Sequence, residues 1–403
     1  MRTTARLATI AALAAVLVAC GETRAERPDT LFLQSRRGVT IVPAGATSPS
    51  FRAPSALPSH DWSKIVQTER AGDDTRLVGL HSSTKIELWS QVVPGNLRLQ
   101  AVSRDADAAV LEPAGSRYAS NPTVTKFVIV RRGAATEIIK LDGNFAPEAF
   151  STDGTSLFVV QYQPARNPNR YQVRRLDLNT GEVNDVYSVD AELQKSMRGT
   201  ARVQSMSPDG ARLYTLYTLK RDGRSYAFVH VLSLAEDELW AHCIDLPASF
   251  SQSAQSATAL TLAPDGGRLY VANAHADAVV EVDTETLAVT RTGTVDLDEG
   301  ERAYATYGAD STLFVASGWK VLAIGVRDLK VVRSWKMLLP VTGIQGGGGS
   351  KLYVGQAQRI AILDRSSGKR LGEVDPPGIG TISRLGKVMR GLGSVRTEIV
   401  CAC

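Results

Sequence analysis

Apolar runs of strand length recur along this chain, divided by clusters of Asp, Gly, Ser and Pro. The clearest set spans residues 259–293. ALTLA (259–263) comes first, and RLYVAN (268–273) follows across the turn Asp265-Gly266-Gly267. AVVEVD (278–283) and LAVTRTG (287–293) complete the set, with Asp283-Thr284-Glu285-Thr286 between them. Runs this short, bounded by turn residues, predict four β-strands in hairpin succession. In the turns, Gly accepts positive φ, while Asp and Thr side chains accept hydrogen bonds from nearby backbone N–H groups. The second kind of turn returns as DLNTG (177–181) and DRSSG (364–368).

The first kind of turn returns more often. SPDGARLY stands at 207–214, STDGTSLF at 151–158, GADSTLF at 308–314 and GGGGSKLY at 346–353. SHDWSKI (59–65) and SRDADAAV (103–110) are weaker copies, and the first such strand opens DTLF at 29–32. The apolar anchors fall at 31, 65, 110, 157, 213, 269, 313 and 352, a spacing of about 46 residues. Eight units of four short strands predict an all-β fold, a single β-propeller of four-stranded blades. Merging the degenerate unit at 57–95 would give seven blades instead. The first unit lacks its first strand, and Gly378–Ile382 beyond the eighth unit is the segment expected to supply it. That would close the ring with a C-terminal strand and cover both sheet edges. Asp265 and its equivalents recur in almost every unit, so they are expected to serve turns rather than mark one active site.

Tyr270-Val271-Ala272-Asn273 after Pro264-Asp265-Gly266-Gly267, and Leu213-Tyr214 after Ser207-Pro208-Asp209-Gly210, resemble the YVTN family of bacterial β-propeller repeats, a WD40-like architecture. The resemblance covers roughly residues 29–375 as a period. It implies the fold and leaves function open, because the family includes binding scaffolds, lactonase-like enzymes and quinoprotein-dehydrogenase-like subunits.

The N-terminus changes the picture. Arg2 and Arg6 precede an apolar run, Leu7–Ala19, too short to span a bilayer and suited to a signal peptide. Leu17-Val18-Ala19-Cys20 resembles a bacterial lipobox, which implies acylation at Cys20. The expected organisation is signal peptide 1–19, lipidated N-terminus and linker 20–28, propeller 29–383 and basic tail 384–403. Acyl chains at about 0.8 kcal/mol per buried methylene would hold the domain on the extracytoplasmic face of a membrane. The other cysteines, Cys243, Cys401 and Cys403, do not make a disulfide framework. The net charge of +5 is mild, and no clustered basic stripe points to nucleic acid.

No residue pattern points to catalysis, a cofactor or a metal. His60, His81, His230, His242 and His275 lack metal-ligand spacing; His60 is expected in a first turn and His275 in a loop between strands, each a surface or turn residue rather than a ligand. Gly346–Gly349 occupies a turn position and is expected to be a turn rather than a phosphate loop. The acidic stretch 296–301 is expected to be a solvated connection between the sixth and seventh blades. Binding is more legible. The fourth and fifth units are the longest, at 56 residues each, and their extra length carries Arg166 and Arg170, then Lys220, Arg221 and Arg224. Lys195, Arg198 and Arg202 lie in the connection between those units. Such loops on a rigid frame are expected to form one surface for a protein partner or an anionic ligand. The expectation is a membrane-anchored binding scaffold; the alternative is an enzyme or enzyme subunit with a site assembled around the central channel.

Overall fold

The computed structural model describes residues 29–387, except 36, 45, 47–48, 50, 54, 116–121, 190–196, 222–223, 252–256 and 299–301. Cys20, Cys401 and Cys403 therefore lie outside the described residues, as do most of the basic tail and part of the acidic stretch. Eight sheets, antiparallel except where Tyr187–Ser188 pairs parallel with Trp240–Asp245 at the rim of one of them, form an eight-bladed propeller, which removes the seven-bladed alternative. Apart from one 3₁₀ turn, Ala248–Ser251, every regular element described is a strand.

Blades are numbered from the N-terminus. In each, the first strand lies nearest the axis and the fourth lies at the rim. Blade 6 follows the sequence pattern closely, with strands Thr258–Leu262, Arg268–Asn273, Ala278–Asp283 and Ala288–Thr294. Its second strand sends Leu269 and Val271 toward blade 5, and Tyr270 and Ala272 toward blade 7. Both faces of the inner strands are buried, so those strands are apolar without interruption, while the rim strand alternates with solvent. Eight separate apolar clusters fill the eight junctions between blades. Glu281 is the charge in blade 6 that breaks this rule. It is 3% exposed and accepts hydrogen bonds from Tyr270 Oη at 3.2 Å, Thr290 Oγ1 at 2.9 Å and Arg291 Nε at 3.0 Å.

Blade 1 takes its first strand from the C-terminus. The closing strand is Ile382–Lys387, and it pairs antiparallel with Thr30–Ser35. It starts where the expected closing segment, 378–382, ends. Gly378 and Gly380 take positive φ there and turn the chain into the strand. Residues 384–387, read from the sequence as tail, are thus part of the ring. Trp62 seals the adjacent seam. Its ring meets Phe32 edge-on at 4.5 Å and is 3% exposed. A methyl group on Gly386 of the closing strand would fall 2.5 Å from Trp62 Cη2.

The first-to-second-strand turns obey one rule. In blades 2 to 5, the hydroxyls of Ser59, Ser103, Ser151 and Ser207 donate to Asp61, Asp105, Asp153 and Asp209, at 2.5 to 2.7 Å. The next residue is left-handed whatever its identity: Trp62 at φ 61°, Ala106 at 59°, Gly154 at 75°, Gly210 at 74°, Gly266 at 74° and Ser311 at 56°. Blade 8 has Gly348 where the others have Asp, and Asp29 supplies the carboxylate instead. It accepts from Gly348 N and Tyr353 Oη, both at 2.8 Å. The glycine run is a docking point for the start of the propeller chain: a Cβ at Gly347 would lie 3.1 Å from Asp29 Oδ2 and 2.6 Å from the Tyr353 ring.

Candidate functional site

Hairpin connectivity gives the disc two unlike faces. One carries the first-to-second and third-to-fourth turns, and the other carries the second-to-third loops and the links between blades. Asp29 and Lys387 both lie on the first, which is here called the turn face; the second is called the loop face.

The turn face is saturated with hydrogen bonds. Burial would raise the carboxyls of Asp61, Asp105, Asp153 and Asp209, but the serine hydroxyls and backbone N–H donors outweigh it and hold all four below the usual range. Four of its turns lie at one end of a cavity of about 130 Å³ on the axial side of blades 2 to 5. The polar lining includes Gln100, Glu148 and Gln204 from three successive first strands, with His60, Ser103, Arg104 and Thr152 from the turns. Leu57, Val102, Phe150 and Met206 supply apolar wall. Each of Gln100 and Glu148 sits at a register shift, between Leu99 and Ala101 and between Pro147 and Ala149. A bulge of this kind leaves one residue out of the ladder and re-aims its side chain. Gln204 Nε2 donates to Glu148 Oε1 and, at 3.1 Å, to Thr215 Oγ1. His60 is 6% exposed, and its Nε2 lies 3.0 Å from the carbonyl of Pro208, joining the turns of blades 2 and 5. Of the two places expected for His60, surface or turn, it takes the turn, and it is buried there against another blade. A methyl at Gly210 would fall 3.1 Å from Cδ and Nε of Arg104. The turns of blades 2, 3 and 5 thus pack on one another at the end of the cavity.

The sequence holds a signal for this cavity that the turn motif overshadowed. Three residues before the turn serine stand Gln100, Glu148 and Gln204, where blade 2 has Ala56 and blade 6 has Leu260. Only the stacking of blades brings the three polar positions together.

The loop face differs. In blade 4, the strands Ser156–Gln163 and Arg170–Asp177 are joined by the loop holding Arg166, and both Arg166 and Arg170 are exposed. Arg170 Nε lies 3.4 Å from Gln163 Oε1. In blade 5, the hairpin Arg212–Arg221 and Arg224–Ser233 reaches further than any other described. The side chains of Lys220, Arg221 and Arg224 lie outside those described, as do residue 195 and the side chain of Arg202. Arg198 is exposed. These loops rest on an aromatic ladder between the two blades. Tyr171 stacks on Tyr217 at 5.5 Å, and Tyr217 on Phe228 at 5.4 Å, with His230 edge-on to Tyr217 at 6.1 Å. Burial pushes the His230 imidazole down to about 4, with a further contribution from His242. The link from blade 4 to blade 5 is pinned by paired backbone hydrogen bonds between Tyr171 and Met197, at 2.7 and 2.9 Å.

Further round the loop face, Trp319, Leu338 and Leu339 are exposed by 46%, 80% and 39%. The acidic connection beside them is paired: Asp296 and Asp298 both meet Lys320, at 3.2 and 3.5 Å.

No protein-family model matches the chain, and no curated protein matches it in sequence. Solved structures do resemble it. Apo AztD from Citrobacter koseri gives a TM-score of 0.53 at 11% identity, over 90% of this chain and 98% of that one. NirN, a dihydro-heme d1 dehydrogenase in complex with DHE, gives 0.52 at 14% identity, over 89% of this chain and 75% of that one. At such identities the likeness shows the β-propeller fold alone.

Proposed function

We propose that the protein is a lipid-anchored extracytoplasmic propeller that binds a partner through its loop face. The observation that carries this reading is the placement of the chain's ends. Asp29 is fixed on the turn face by Gly348 and Tyr353, opposite the long basic loops of blades 4 and 5. A tether at Cys20 leaves residues 20–28 as linker, with a reach of roughly 30 Å when extended. Such a tether keeps the turn face toward the bilayer and presents the loop face outward. Lys387, the last described residue before the basic tail, lies on the same turn face. Among the described residues, no helix is long and apolar enough to cross a membrane.

The outward loops suit a partner with carboxylate or phosphate groups. Arg offers a planar fork of donors, and the exposed Trp319 and Leu338 add apolar anchors on the same face. The test is affinity capture of the intact, lipidated protein from detergent-solubilised host membranes. A stoichiometric protein is expected, lost when Arg166, Arg170, Arg221 and Arg224 are changed together to Ala. Capture that survives the fourfold change would remove the basic loops from the binding surface. Replacing Cys20 with Ser is expected to release the protein from the membrane fraction.

A further inference from the structure

The outer edges of the blades are not alike. In blade 5 the rim strand Trp240–Asp245 carries a fifth strand outside it, Tyr187–Ser188. The ring thus accommodates one more strand on the outside of a blade. We propose that the open rim of blade 7 takes such an addition from another protein: an extended segment with two acidic residues three positions apart, opposite Arg333 and Lys336.

The backbone sets the mode of binding. Blade 7 is built from Ala303–Tyr307, Thr312–Ser317, Lys320–Gly325 and Lys330–Lys336, and the last of these is its outer edge. Residues 333–336 pair in register with 320–323, and Met337 N extends the ladder to the Trp319 carbonyl at 2.6 Å. The bulge falls earlier, at Val332, so the edge beyond it is regular. The N–H and C=O groups on the open side of such an edge can pair with a further strand. Trp335 holds the edge in place. Its ring stacks on Phe314 at 6.1 Å and occupies the space of any Cβ at Gly368 in blade 8. An edge already fixed costs little ordering on binding.

The side chains set the partner. The strand contains no acid, and Arg333 and Lys336 are exposed and make no ion pair among the described residues. Side chains alternate across a strand, so these two cations stand on opposite faces of the sheet. A strand laid alongside meets both only if its own acids are three apart. Edge lysines by themselves guard against aggregation. Here Val331 and Val332 are also exposed, by 39% and 58%, and give a partner apolar area to cover.

The other rims lack this combination. Those of blades 1 and 4 have three residues each. Blade 2 places Glu87 on its edge, and blade 3 places Glu137 and Asp142. Arg291 of blade 6 is drawn onto Glu281 and the Val326 carbonyl, and Arg370 of blade 8 pairs with Glu373. Blade 5 is already covered. The site is also apart from the basic loops of blades 4 and 5, so either can fail without the other.

The test is fluorescence anisotropy of the purified propeller with the labelled peptide TVEVTDVT. One peptide is expected to bind per chain, and the lysine peptide TVKVTKVT at least tenfold more weakly. Of two copies of TVEVTDVT, N-methylated at odd or at even residues, one is expected to bind at least tenfold more weakly, because only one set of N–H groups faces the edge. Changing Arg333→Glu and Lys336→Glu together is expected to reverse the preference toward the lysine peptide, while Arg166→Ala with Arg170→Ala leaves it unchanged. The methylated peptides need no variant, so they decide even if the charge-reversed chain fails to fold. No binding at 1 mM peptide would overturn the proposal. So would full binding by both methylated copies, which would leave a charge patch without strand pairing, or a preference that charge reversal does not move. A peptide-free dimer in sedimentation that the charge reversal dissociates would assign the edge to a second copy and likewise overturn it.

Discussion

The two faces of the disc are built from the same hairpins and behave oppositely. On the turn face, the reversals of blades 2 to 5 repeat a Ser-x-Asp arrangement closed by its own hydrogen bonds. On the loop face, blades 4 and 5 lengthen, cations stand exposed, and the link between blades is individual. The reason lies in what each face must do. The turn face sets the spacing of the inner strands, so a departure there would spoil blade stacking. The loop face lies beyond the stacked strands, where length and charge vary at little cost to the ring. The axial cavity fits the same logic, because it uses positions at which three blades depart from the repeat.

The comparison can be broken most forcefully at Trp62. Its ring fills the seam between blades 1 and 2, so Trp62→Ala is expected to lower unfolding free energy by about 3–5 kcal/mol in urea denaturation. A loss below about 1 kcal/mol would mean that the seam is held elsewhere. The next effect belongs to the ladder beneath the loop face. His230 is depressed to about 4 by burial, so the unfolded chain takes up its proton first as pH falls. Stability is therefore full above the ordinary histidine pKa near 6.5 and declines between there and about 4. Between pH 6.5 and 5 the loss is expected to be about 2 kcal/mol, and His230→Gln should flatten that slope in thermal melts.

A smaller effect separates the turns from the loops. Asp209→Ala removes the acceptor for Ser207 Oγ and Ala211 N, and is expected to cost about 1 kcal/mol. Because this carboxyl is held low, its contribution is present above about pH 4 and disappears as pH falls through the lowered value. Acid titration of wild type and Asp209→Ala should therefore converge below that point. The smallest effect sharpens the contrast. Arg166→Ala and Arg170→Ala are expected to shift stability by less than about 0.5 kcal/mol, since both are exposed. A larger change would make these arginines structural rather than part of a binding surface.

Much of this was legible in the chain. The turn copies around Asp153, Asp209 and Asp265 gave the strand order and the blade period, because each turn is closed by its own neighbours in sequence. The closing strand was expected close to its place, displaced because Gly378 and Gly380 form a turn and the apolar pair of the strand is Ile382 and Leu385. Arg166 and Arg170 were read as candidates from loop length alone, and they are exposed on the loop face. His60 lies in the turn where it was expected, but its burial was not legible: its neighbours in sequence are turn residues, and nothing local says that the turn of blade 5 will cover it.

The sequence by itself determined the repeat, the turns and the apolar strand interiors, since all of these are satisfied within one hairpin or its nearest neighbour. The tertiary structure alone decided which separated residues would meet. Closing eight wedges into a ring brought Asp29 to Gly348, His60 to Pro208, and Gln100, Glu148 and Gln204 to one cavity. Those meetings depend on the angle between blades, a property of the packed ring that no hairpin carries alone.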